Sequence, residues 1–170
     1  MNIEEKDLSL CESLLYISPT LPIIGTFIVK SEILPSLPVL QNIYDTGLLS
    51  ELLLCDDFIY IKSKTSADLA DLKLLTMAEI SDYIDSEPTQ IYADTDNTNL
   101  KIDLLLKVII APLLQKDGGD IEQISYKENI LSVRFLGKCQ NCPYAQRTLK
   151  NHVQKNLQRY LPQIREVILT

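Results

Sequence analysis

Ile130-Leu131-Ser132-Val133-Arg134-Phe135-Leu136-Gly137-Lys138-Cys139-Gln140-Asn141-Cys142-Pro143 runs from a strand-like apolar segment through a glycine into two cysteines three apart and a proline. Downstream, Ala145, Leu149, Val153, Leu157 and Leu161 recur every four residues. This spacing predicts a helix with one apolar face, starting at Pro143, where the missing N–H costs nothing, and stopped by Pro162. Val167-Ile168-Leu169 reads as a last strand. Upstream, Ile121 to Tyr126 reads as a strand joined to Ile130–Leu136 by a tight hairpin turn at Lys127-Glu128-Asn129. Before it, Ile102, Leu105, Leu106, Ile109, Ile110, Leu113 and Leu114 form a stripe at helical spacing from about Leu100 to Lys116, with Asn99 as N-cap and Gly118-Gly119 as stop. Pro112 lies within that stripe and predicts a kink. The order is α-β-β-α-β, with the cysteine loop ahead of the second helix.

The preceding half has its own alternation. Leu14 to Ile17 and Gly25 to Val29 read as strands around Pro19 and Pro22, and Val39 to Tyr44 as a short helix ending near Gly47. Leu48 to Leu54 and Phe58 to Ile61 read as a hairpin around Cys55-Asp56-Asp57. Leu69 to Ile84 reads as a helix burying Leu72, Leu75, Ala78, Ile80 and Ile84, with Asp71, Lys73, Glu79 and Asp82 facing solvent. From Asp85 to Asn99 the chain is polar and acidic, like a linker. The fold expected is therefore α+β in two small α/β domains: residues 1–90, a linker at 91–100, and residues 101–170.

Charge divides at the same place. Residues 1–100 carry 5 Lys/Arg against 17 Asp/Glu, net −12, and residues 101–170 carry 11 against 6, net +5, which together make the −7 of the whole. An acidic chain with scattered basic residues is poorly suited to neutralising phosphates, so no nucleic-acid partner is expected. No window of eighteen uninterrupted apolar residues exists, and no membrane partner is expected. Residues 1–10 carry Glu4, Glu5 and Asp7 instead of a basic start and apolar core, unlike a secretory signal or an Arg-rich transit peptide. Four cysteines, with Cys11 and Cys55 isolated, do not resemble a disulfide framework, which makes a reducing cytoplasm the expected location.

Cys139 and Cys142 are the candidate metal or redox ligands. Two thiols just before a helix N-terminus can be thiolates at neutral pH, because unpaired N–H groups and the helix dipole favour negative charge. A single C-x-x-C supplies two sulfurs, whereas zinc and iron–sulfur sites normally take four, so the residues leave both open, as well as a thioredoxin-like dithiol. Lys138, Arg147 and Lys150 offer positive charge near the loop. His152, the only histidine, has no paired acid or serine, and is expected on the solvent side of the helix. Asp117 and Asp120 are expected to set a turn rather than bind metal. No catalytic residue is expected: the job these residues suit is holding and passing on a metal group, not catalysis.

Asp117-Gly118-Gly119-Asp120, the Gly137-Lys138-Cys139-Gln140-Asn141-Cys142-Pro143 loop, Thr148-Leu149-Lys150 and the terminal Leu161-Pro162-Gln163-Ile164-Arg165-Glu166-Val167 together resemble the C-terminal domain of NifU, the Nfu domain, over residues 101–170. Residues 10–88 resemble the N-terminal domain of Nfu proteins, chiefly through Leu37 to Ser63. The resemblance implies an iron–sulfur cluster scaffold or carrier in which Cys139 and Cys142 bind a 4Fe-4S cluster shared between two subunits. It also implies a homodimer when loaded, with apo iron–sulfur client proteins and upstream cluster-assembly proteins as partners. The chain departs from the family pattern at Ala111-Pro112, where an arginine usually precedes the proline. It departs again at Glu128-Asn129, where a glycine is common, and at Gln140, where a small residue is usual.

Overall fold

Short apolar runs in the first half supply the inner strands of a five-stranded antiparallel sheet. In the computed structural model, which describes residues 2–18, 20–21, 23–24, 27–29, 42–43, 45–86, 91–92 and 97–170, its strands are β1 (Asn2–Ser9), β2 (Glu12–Ser18), β4 (Phe27–Val29), β5 (Leu49–Leu54) and β6 (Phe58–Ser63), in the order β1-β2-β6-β5-β4. β5 and β6 form the expected hairpin, closed by the Cys55 N–H donating to the Phe58 carbonyl at 2.9 Å. Leu15, Ile17, Leu52, Leu54, Ile59 and Ile61 pack with Leu69, Leu72 and Ile80 of helix α1 (Leu69–Asp85). Each such buried side chain contributes about 1.5 to 3 kcal/mol relative to exposure. Thr76 takes a core position that the apolar pattern gives to Ala78: its hydroxyl donates to the Leu72 carbonyl at 2.7 Å and is satisfied, while Ala78 is exposed. Asn42, Ile43 and Asp45 are helical, and the rest of the short helix expected at 39–44 lies outside the described residues, as do Pro19, Pro22 and Gly25.

Strand β1 is absent from the expectations because only Ile3 and Leu8 are apolar in it. As an edge strand it needs no buried face, and its charges guard the open edge. Lys73 of α1, expected in solvent, reaches back to it, 3.0 Å from Asp7 and 3.3 Å from Glu5. The expected linker also contains structure: β7 (Ile91–Tyr92) pairs in parallel with β3 (Ile23–Ile24). The chain divides into two units, Met1–Thr95 and Asp96–Thr170.

The second unit follows the order helix, strand, strand, helix, strand. Helix α2 begins at Thr98, with Asn97 rather than Asn99 at the N-cap position, its side chain making no capping hydrogen bond, and runs as an α-helix over Thr98–Leu105, a π-helix over Leu106–Ile110 and an α-helix over Ala111–Gln115. The expected kink takes this form because Pro112 would press its ring against the carbonyl four residues back. The turn widens, and the Ala111 N–H donates to Leu106, five residues back. β8 (Gly119–Lys127) and β9 (Ile130–Gly137) form an antiparallel hairpin, with β10 (Glu166–Leu169) parallel to β9 on its other side. Leu131, Val133 and Phe135 of β9 and Val167 of β10 are buried with Leu149, Val153 and Leu157 of the helix that follows the cysteines. Helix α3 comprises Ala145–Thr148, a π-helical Leu149–Gln154 and Lys155–Tyr160.

Candidate metal centre

The loop between β9 and α3 is a succession of tight turns. Gly137 has φ +59°, turning the chain off the strand, and the Lys138 N–H donates to the Gly118 carbonyl at 3.1 Å. The cysteine loop is thereby pinned to the turn that ends α2, where Asp117 and Gly118 donate to Leu114 and Gln115, each at 3.0 Å. Within the loop, Gln140 N–H donates to Gly137 at 3.2 Å, Cys142 N–H to Cys139 at 3.3 Å and Ala145 N–H to Cys142 at 3.0 Å. Cys139 and Cys142 are both partly exposed thiols on this folded loop. Cys11 and Cys55 belong to the other unit, and Cys55 is fully buried at its hairpin corner. Among the described residues, no group of three or more His, Cys, Asp or Glu side chains is arranged to hold a metal ion.

The electrostatics correct the thiolate expectation. α3 starts at Ala145, not Pro143, and its cap, Tyr144, makes no side-chain hydrogen bond to the helix end. Cys139 therefore stands more than a turn before the first helical residue, and the dipole's influence fades over that distance. Partial burial pushes the Cys139 thiol above its ordinary value, and the negative charges of Cys142, Asp117 and Asp120 add to this. A thiol held protonated is a poor nucleophile, which counts against the dithiol-oxidoreductase reading. The positive charges contribute less than expected: Lys150 pairs with Glu166 at 2.9 Å, while Lys138 and Arg147 are exposed. His152 is exposed, as expected. Asp117 lies in the turn after α2, whereas Asp120, expected in that turn, is the second residue of β8, where its carboxylate accepts a 2.9 Å bond from the Ile121 N–H.

Two features of the site escaped the sequence reading. Tyr144, directly after Pro143, is 64% exposed beside the cysteine loop. Gly119, expected only to stop a helix, opens β8 and lies against Cys139. The observed hairpin register pairs Gly119 with Gly137.

Residues 102–168 match the NifU-like domain family. Among similar proteins is one from Drosophila persimilis named "NFU1 iron-sulfur cluster scaffold homolog, mitochondrial", 37% identical over 65% of this chain and 43% of its own length. Those of the same name from Drosophila sechellia and Drosophila grimshawi are 35% identical over 65% of this chain, covering 43% and 41% of their own lengths. The chain spans less than half the length of these curated relatives. Their names point to the mitochondrion and overturn the cytoplasmic expectation. Unpaired thiols distinguish a reducing compartment from an oxidising one, not one reducing compartment from another.

Proposed function

We propose, from the premise that this is an Nfu-type chain whose residues 102–168 form a NifU-like domain, that it is an iron–sulfur cluster scaffold or carrier. Cys139 and Cys142 hold a 4Fe-4S cluster between two copies of the chain, and the cluster is then passed to apo-proteins. The observation that carries this reading is the donor set. One chain presents two partly exposed thiols on one loop, and among the described residues no third ligand is grouped with them. A cubane cluster takes four thiolates, and two-fold pairing of the loops supplies them in one closed operation. Exchange through a partly exposed site suits a carrier, and the relatives are named as scaffolds.

The domain roles follow from the same reading. Residues 101–170 bind the cluster, residues 91–100 connect, and residues 1–90 form an Nfu-type N-terminal domain that recognises clients and upstream assembly proteins. The likeness to the relatives spans 65% of the chain, more than the second unit alone. Net charge supports a separate recognition role for the acidic half.

Anaerobic reconstitution of the full chain with iron and sulfide tests the proposal. Visible absorption and Mössbauer spectra should report a 4Fe-4S cluster, lost in Cys139→Ala and in Cys142→Ala. A colourless product, a zinc-only site, or a cluster that survives either substitution overturns it.

A further inference from the structure

We infer that Gly119 is a positioning residue for the metal site: its missing side chain is the seat of Cys139, and it sets the direction in which that thiol is presented. The inference rests on the proposed role of Cys139 as a ligand and names what holds that ligand in place. Gly119 is the first residue of β8 and is buried. It is not among the residues with positive φ, unlike Gly118 (+76°) and Gly137 (+59°). Its backbone would therefore accept any L-residue, and only packing demands a glycine.

That demand comes from one side chain. A Cβ built on Gly119 would overlap the Cys139 Sγ outright, stand 2.8 Å from the Cys139 Cβ and 3.3 Å from its backbone nitrogen. Rotation about χ1 could move the sulfur aside, but it would leave the Cβ overlap, so the loop itself must shift. The loop has little room to do so. Lys138 is bonded to Gly118, and a side chain at Gly137 would meet the Gly118 carbonyl at 2.6 Å. Backbone therefore approaches backbone at the two residues directly ahead of Cys139. A methyl group at position 119 therefore displaces the Cys139 Cβ as well as the sulfur. That displacement spoils the geometry that a metal shared with another chain requires.

Gly119→Ala in the full chain tests this against wild type, with Co(II) as the probe of the apo-protein. Sulfur-to-cobalt absorption reports the thiolates, and alkylation resolved by mass spectrometry reports each cysteine separately. The expected result is Co(II) binding weakened about tenfold or more, in the range typical of groups that orient metal ligands. The rate of Cys139 alkylation should change while that of Cys142 does not, with circular dichroism retained. Since the substitution could also weaken folding, a double-mutant cycle with Cys139→Gly isolates the seat. The stability loss from Gly119→Ala should largely vanish when the Cys139 side chain is absent. Unchanged Co(II) binding and alkylation in Gly119→Ala, or an undiminished stability loss in the Cys139→Gly background, overturns the inference. A wild-type chain that forms no cluster would instead count against the proposed function and leave the seat to be judged on the stability cycle.

Discussion

The Cys139 thiol shows how far its neighbours decide the chemistry of a motif. A C-x-x-C ahead of a helix suggests lowered thiol pKa values, yet Cys139 is pushed the other way by burial, by Cys142 and by Asp117 and Asp120. The sign has a direct consequence. With less thiolate at a given pH, Cys139 in the apo-protein should react with iodoacetamide at pH 8 more slowly than a cysteine in an unstructured peptide. Its reactivity should rise with pH at a higher midpoint. Asp120→Asn removes one of the negative charges and should lower that midpoint. A Cys139 that alkylates faster than the peptide would contradict the assignment. Metal binding then requires loss of the proton, so cluster loading should favour higher pH.

At the scale of elements, both helices of the second unit depart from the regular α-helix, and each departure has a readable cause. The π segment of α2 stands directly before Pro112. That of α3 stands within residues whose apolar spacing is four, longer than the 3.6 residues of an α-turn. A regular helix would carry such a stripe progressively round its surface. A wider π turn lets Leu149, Val153 and Leu157 stay on the core side, where they are 0%, 0% and 1% exposed. The period-four spacing was legible in the sequence, but its consequence for helix type was not read. The β8–β9 hairpin carries a different strain. Its turn residues Glu128 and Asn129 have φ +51° and +63°, a two-residue turn that favours Asn-Gly. Replacing the pair by Asn-Gly should stabilise the chain by about 0.5 to 2 kcal/mol, measured by urea unfolding. No gain would mean that neighbouring contacts already offset the left-handed conformation.

For the molecule as a whole, the proposed site, with two cysteine sulfurs per chain, sets the stoichiometry expected on loading. Light scattering of the reconstituted protein, combined with iron and sulfide analysis, should give two chains for each 4Fe-4S cluster. Chelating the iron should return the mass to that of the apo-protein. One chain per cluster would require ligands outside the cysteine pair and would refute the shared site.

Alternation of apolar residues, turn residues at Lys127-Glu128-Asn129 and Pro162, and the Cys139–Cys142 spacing were sufficient to identify the α+β class, the strands of the second unit and the candidate cysteine pair. All of these are local: each depends on a few neighbouring residues and a fixed repeat. The edge strand β1 was not legible, because an exposed edge imposes no apolar pattern. The seat of Cys139 needed the tertiary structure for a more specific reason. Counting back from the pairing of Lys127 with Ile130 would set Gly119 opposite Lys138. The bulge between Gln123 and Ser125 shifts it by one, to Gly137. That single residue decides which backbone lies beneath the thiol. It arises from how two strands meet, which no local pattern encodes.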